Sequence, residues 1–219
     1  MTIDSAWILR AVAALVCGYL LGAVPSSYIA VRLLRGKDLR RLGTGHLGAL
    51  NAKRAAGWGP GIAVFLADVG KGALATFLGT ILAGPGIGGM IGFFAAVTGH
   101  NYSCFVRGAG GKGLAASAGA LLYLSWRAFI GTGLAGLVTV AACGNMYLAA
   151  VAMACALPAV MAWLGPAGPL GGGWWLSFLV AAVILSRHMG DLQNIARGGG
   201  TWWWRQKPRL RERSQQRRN

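Results

Sequence analysis

Lys112 stands inside the run Gly108-Ala109-Gly110-Gly111-Lys112-Gly113, directly before an apolar stretch. Glycines let successive backbone N–H groups turn toward one anion, the lysine adds charge, and a helix starting there aims its positive end at the same point. The chemistry this suits is the holding of a phosphate. It is not the P-loop pattern GxxxxGK[ST], because Gly113 and not Ser or Thr follows Lys112, which disfavours a nucleoside-triphosphate motor. A second segment, Gly36 to Gly59, sets Gly43, Gly45 and Gly48 among Lys37, Arg40, Arg41, Lys53 and Arg54. Two readings are open for it: another phosphate cradle, or a flexible basic loop on the cytoplasmic side of a membrane.

Asp68 and Lys71 lie three residues apart near the start of an apolar run, where charge is costly, and can pair on one helix face. The pair reads either as a structural ion pair near the membrane surface or as a substrate contact through Lys71. His100 ends an apolar run beside the Lys112 loop, as a packing residue or a binding residue. No G-x-S-x-G elbow, HxxxxD pair, His/carboxylate metal cluster or pair of catalytic carboxylates is present, so no metal or cofactor is expected and any chemistry must use an already activated substrate. Cys17, Cys104, Cys143 and Cys155 have no paired spacing and read as small core residues.

The elements that position these groups are apolar. The chain is 55% hydrophobic and 12% charged, about half the charged share of a soluble domain. Apolar runs cover roughly 8–33, 60–83, 86–106, 113–126, 128–143, 146–164 and 174–187, and about 20 residues cross a bilayer. An all-α polytopic membrane protein of seven transmembrane helices is expected, with five the alternative. The basic segments 34–58 and 107–112 and the tail beyond 197 should share the cytoplasmic side, which puts the N-terminus outside and the C-terminus inside. Residues 1–200 thus read as one integral membrane domain with cytoplasmic loops 34–58, 107–113 and 188–201, and residues 201–219 as a basic tail. The first run, with no obvious cleavage site, reads as a retained helix. The net charge of +16, gathered in those loops and the tail, fits anionic membrane lipids as partners and not nucleic acid.

Four blocks carry a more specific resemblance: GAVPSSYIAVRLLRGKDLR, GTGHLGALNAKRAAG, the DxxKG of Asp68 to Gly72, and GHNYSCFVRGAGGKGLAA. In order and spacing they resemble the bacterial membrane glycerol-3-phosphate acyltransferases that take the acyl chain from acyl phosphate, the PlsY type. The similarity covers residues 18–118 closely and 188–201 weakly. It implies a multi-pass enzyme of the bacterial inner (plasma) membrane, without cofactor, that converts glycerol-3-phosphate and acyl phosphate into 1-acyl-glycerol-3-phosphate and phosphate. An open alternative is a relative with altered catalysis that binds phospholipid or an anionic metabolite.

Carried over by position, the resemblance implies catalytic roles for Thr44, Asn51, His100 and Lys112. It implies phosphate binding by Gly43, Gly45, Arg54, Lys71, Gly110, Gly111, Lys112, Asn194 and Arg197. Ser26, Asp38, Asp68, Ser103 and His188 would support them. The chain departs from the family pattern at Thr44 and His46 (usually Ser and Asn), Leu50 (usually Thr), Ala116 (usually Thr) and Asp191, which takes the place of a His while His188 lies one turn earlier.

Overall fold

The computed structural model describes residues 4–166 and 172–199, and among them there is no strand. The tail from 201 lies outside the described residues. Helix α1 (Ser5–Ala23) starts on an Asp4 carboxylate that accepts the Trp7 N–H at 2.7 Å. It breaks at Val24-Pro25, where proline has no N–H to continue the ladder, and resumes as α2 (Ser26–Arg35). The expected loop 34–58 is half helical: after a tight turn at Leu39–Arg41 comes α3 (Ala49–Ala56). Then follow α4 (Trp58–Ala83), α5 (Ile87–Asn101), α6 (Leu114–Leu124), α7 (Trp126–Cys143), α8 (Met146–Leu164), α9 (Leu176–Ser186) and α10 (Met189–Asn194), with a wider π-type turn at Ile195–Gly199.

Each expected apolar run holds a helix, but their lengths differ. Ser5–Arg35, α4, α7 and α8 are long and apolar enough to cross a membrane. Helices α6 and α9 have 11 residues each, about 16 Å against a hydrocarbon layer of about 30 Å.

Packing is inside out relative to a soluble protein. Gly92 lies against Ala75, Gly72 against Ala116, and Gly79 against Gly88, so close that an added Cβ would overlap the facing backbone. Small residues let α1, α4, α5 and α6 approach at backbone contact. Large aliphatic and aromatic side chains point outward, Leu9, Leu137 and Trp163 among them. Cys17, Cys143 and Cys155 do the same, and Cys104 is also exposed, so the expectation that they fill the core is corrected. In lipid an apolar residue gains nothing from facing inward, so hydropathy does not separate core from periphery.

Two cores result. Phe93, Val97, Leu121, Leu157, Met161, Val180 and Ile184 join α5, α6, α8 and α9. A smaller one, with Val31, Leu39, Leu47, Ala52, Val64 and Val106, caps one end of the bundle. At that end lie the α1–α2 break, the segment 36–57, the α5–α6 loop, the α7–α8 turn and the α9–α10 corner, linked by Lys71 to Val24, Leu47 to Gly110, and Lys112 to both Tyr147 and Asp191. At the opposite end the Trp7 indole donates to Ala83 O at 3.0 Å and the Ser125 hydroxyl to Leu164 O at 2.6 Å.

Candidate active site

The α5–α6 loop is built against the end of α5. Gly111 N–H donates to His100 O at 2.9 Å and Gly108 N–H to Ser103 O at 2.8 Å. A Cβ on Gly110 would strike the carbonyl oxygens of His100 and Asn101, and one on Gly111 would strike His100 Nε2. Three of the loop's N–H groups, those of Gly108, Ala109 and Gly111, are therefore spent on holding it. Those of Gly110, Lys112 and Gly113 make no backbone bond among the described residues, and Gly113, at φ +85°, turns the chain into α6. Arg187 clamps the loop from the α9 side: its Nε donates to Gly111 O at 3.2 Å and an NH2 to Gly110 O at 3.1 Å, with the guanidinium 5.1 Å from the Tyr102 ring. Lys112 pairs with Asp191 of α10 and lies 4.6 Å from the centre of the Tyr147 ring at the start of α8.

The segment 36–48 is held differently. Asp38 takes a bidentate grip from Arg40, with contacts of 2.7 to 3.2 Å, and these hydrogen bonds hold its carboxyl down to about 2. The buried Asn51 amide donates to His46 O at 3.0 Å and Leu42 O at 3.1 Å, pinning the turn that contains Gly43, Thr44 and Gly45. Its Oδ1 is buried without a hydrogen-bond partner and faces Gly43. Thr44 is half-buried, and Leu50 points outward from α3.

The two segments meet where Leu47 N–H donates to Gly110 O at 3.0 Å. His46 there feels Lys112, Arg187, Asp191 and His188; burial pushes its imidazole down to about 4, and the two cations add to the effect. Burial lowers His188 as well. Both rings are neutral near pH 7, which leaves Lys112 and Arg187 facing the single carboxylate of Asp191.

Beneath the loops is a small polar pocket lined by Ser26, Asp68, Lys71, His100, Ser103 and Gly110 among others. Lys71 Nζ reaches Asp68 Oδ1 at 2.9 Å and Val24 O at 3.0 Å, so the expected pair exists and also ties off the α1–α2 break. The pair lies ten and thirteen residues beyond the start of α4, with Lys71 level with that break. His100 Nδ1 is 3.7 Å from Asp68 and has no hydrogen bond, while the Ser103 hydroxyl donates to Ala23 O at 2.5 Å.

Of the expected site residues, the structure gathers Gly110, Gly111, Lys112 and His188 on one side, Ser26, Asp68, Lys71, His100 and Ser103 in the pocket, and the Gly43–Gly45 turn beside them through Asn51 and Leu47. Arg54 lies exposed on α3, and Asn194 and Arg197 are exposed beyond the α9–α10 corner. Sequence reasoning missed Arg187, Tyr102 and Tyr147. Arg187 had a signal, as the lone cation ending the last apolar run four residues before Asp191; the two tyrosines had none.

The sequence model of a family described as glycerol-3-phosphate acyltransferase matches residues 12–198. Among similar proteins, a glycerol-3-phosphate acyltransferase of Thermus thermophilus is 36% identical over 86% of this chain and 92% of its own. One of Prochlorococcus marinus is 31% identical over 82% and 91%. Glycerol-3-phosphate acyltransferase 2 of Moorella thermoacetica is 44% identical over 112 residues, 51% of this chain and 57% of its own. In fold, the crystal structure of PlsY, an integral membrane glycerol 3-phosphate acyltransferase in its glycerol 3-phosphate form, superposes with a TM-score of 0.76 at 24% identity, covering 88% of this chain and 95% of that one. The lysophosphatidic acid form superposes at 0.73. With a family match across most of its length and relatives aligned nearly end to end, this chain belongs to the glycerol-3-phosphate acyltransferase family.

Proposed function

We propose that this protein moves a fatty acyl group from acyl phosphate to a hydroxyl of glycerol-3-phosphate, giving 1-acyl-glycerol-3-phosphate and inorganic phosphate for phospholipid synthesis. The observation that carries the reading is the meeting of the two glycine segments at the Leu47–Gly110 bond, with Lys112 and Arg187 beside them. Two phosphate-bearing substrates need two cradles side by side. The Gly43–Gly45 turn and the start of α6 are those cradles, with Arg54, Asn194 and Arg197 as further phosphate contacts once substrate is present.

The glycerol hydroxyl oxygen attacks the acyl carbonyl, the carbonyl–phosphate C–O bond breaks, and phosphate leaves with the electron pair and takes up the hydroxyl proton. Phosphate is a good leaving group, so alignment and charge stabilisation supply most of the rate. Lys112 and the Gly110, Lys112 and Gly113 amides stabilise the departing phosphate, while Asn51 fixes the turn carrying Thr44. The pocket over Asp68, Lys71 and His100 keeps the two segments at one depth.

The seven apolar helices run back and forth between the two ends of the bundle, which supports seven spans with the N-terminus outside and the loop end cytoplasmic, in the bacterial inner membrane. An impermeant thiol reagent on right-side-out vesicles should then leave Cys104 unlabelled; labelling would reverse the orientation. For activity, purified protein in detergent given acyl phosphate and glycerol-3-phosphate should release phosphate, and Lys112→Ala should lower the rate at least about 100-fold. Turnover no greater than in that variant sinks the enzyme reading.

A further inference from the structure

Lys112 does not wait with an open ammonium. It is engaged by the Asp191 carboxylate on one side and the Tyr147 ring face on the other, and its side chain is only 18% exposed. Asp191 belongs to the same corner as Arg187, whose guanidinium is committed to the Gly110 and Gly111 carbonyls. His46 and His188, the other titratable groups facing Lys112, are neutral near pH 7. The cluster therefore carries one net positive charge with Asp191 present and two without it.

We infer that Asp191 is an affinity-lowering counter-ion, which any phosphoryl group must displace from Lys112 before that group can occupy the α5–α6 loop. This rests on the reading of the loop as a phosphate site. The displacement weakens binding of every anion by the same factor. A substrate offsets it, because its acyl or glycerol portion makes other contacts. Free phosphate, the product, has only the loop to hold it. Asp191 thus keeps the site from filling with released phosphate, at the cost of a higher KM for the donor. A carboxylate a few ångströms from a bound phosphate repels it enough for about a tenfold effect after solvent screening.

The sign of one substitution decides the matter. Binding of inorganic phosphate to the full chain in detergent is measured by calorimetry for the wild type, Asp191→Asn, Asp191→Glu and Lys112→Ala, with Asp191→Ser as a second neutral variant should Asn fail to fold. The neutral variants should bind phosphate about tenfold more tightly, with stronger product inhibition and a lower KM for acyl phosphate, while Asp191→Glu stays near wild type. Unchanged or weaker phosphate binding in the neutral variants overturns the inference, the weaker result meaning that the carboxylate merely props Lys112. If phosphate binding survives Lys112→Ala undiminished, the loop reading itself falls. If it is lost there but indifferent to Asp191, only the counter-ion role falls.

Discussion

The two glycine segments share a composition but not a construction. In the α5–α6 loop, Gly110 and Gly111 are required by crowding, since an added Cβ would strike the carbonyls and imidazole at the end of α5. In the 36–48 segment the requirement is mostly conformational: Gly43 and Gly45 take φ of +53° and +74°, with Gly43 also tight against the Asn51 side chain, while Gly48 has extended backbone and open space beside it. The first loop is held by backbone and by Arg187 from another helix. The second is held by its own neighbours, Asn51 and the Asp38–Arg40 pair. Glycine content alone thus says little about rigidity; what the backbone leans on decides it.

Gly111→Ala should break this contrast most visibly. The new methyl must push the buried His100 ring, which lies beside Asp68, and strain the hydrogen bond between Gly111 and His100, so the loop shifts and phosphate release falls about 100-fold. Gly48→Ala, in a segment just as glycine-rich, should stay within about twofold of wild type. Equal effects in the phosphate-release assay would mean that crowding does not distinguish the two segments.

How much of this was legible follows from what each signal measures. Hydropathy located every apolar helix, because exclusion from water is what both lipid and a protein interior share. For the same reason it misplaced Cys17, Cys143 and Cys155, which face outward. The Asp68–Lys71 pair was legible from its i, i+3 spacing. The 49–56 helix was not, since Lys53 and Arg54 read as loop charge, and its buried face of Asn51, Ala52 and Ala56 makes sense only against Val64 and Leu39. Arg187 acts on residues 76 and 77 positions away, a pairing that only the fold creates. Asp191 was visible as a departure from the family pattern and Lys112 as a site residue, but their pairing was not.

Asn51→Ala sharpens the claim that the 36–48 segment is held locally. It removes the bonds to Leu42 and His46 from a buried position, which should cost about 2–3 kcal/mol and lower phosphate release about tenfold. Thermal unfolding and the rate assay should move together. A loss of activity with unchanged stability would give Asn51 a direct substrate contact in place of a holding role.

His46 joins the two segments and makes their junction acid-sensitive. Its folded pKa is depressed to about 4 from 6.5, so the neutral ring is the one the fold accommodates. The associated stability is fully present above about 6.5 and is lost progressively as pH falls toward 4. His46→Gln should flatten the melting temperature against pH in that window, and a curve parallel to wild type would remove His46 from the junction. His188 has the same sign and leaves a remainder.

The smallest effect belongs to Asp38. Its carboxyl is held at about 2 against an ordinary 3.8, so its contribution is present above 3.8 and disappears as pH falls through 2. The bidentate geometry favours a measurable term, but the pair is partly exposed, at 34% for Arg40 and 17% for Asp38, and solvent screens it. Asp38→Asn should therefore lower the melting temperature by about 2 °C at most at pH 7, and less at high salt. A larger drop would mean that Arg40 needs its partner for more than an ion pair. Arg40 also lies 5.3 Å from the Tyr28 ring on α2, so a loosened guanidinium would free the packing of α2 against the segment. In that case the 36–48 segment, like the α5–α6 loop, would depend on a clamping cation, its own Arg40 against α2 where the loop has Arg187 from across the fold, and the difference between the two would narrow to that origin and to the crowding at Gly110 and Gly111.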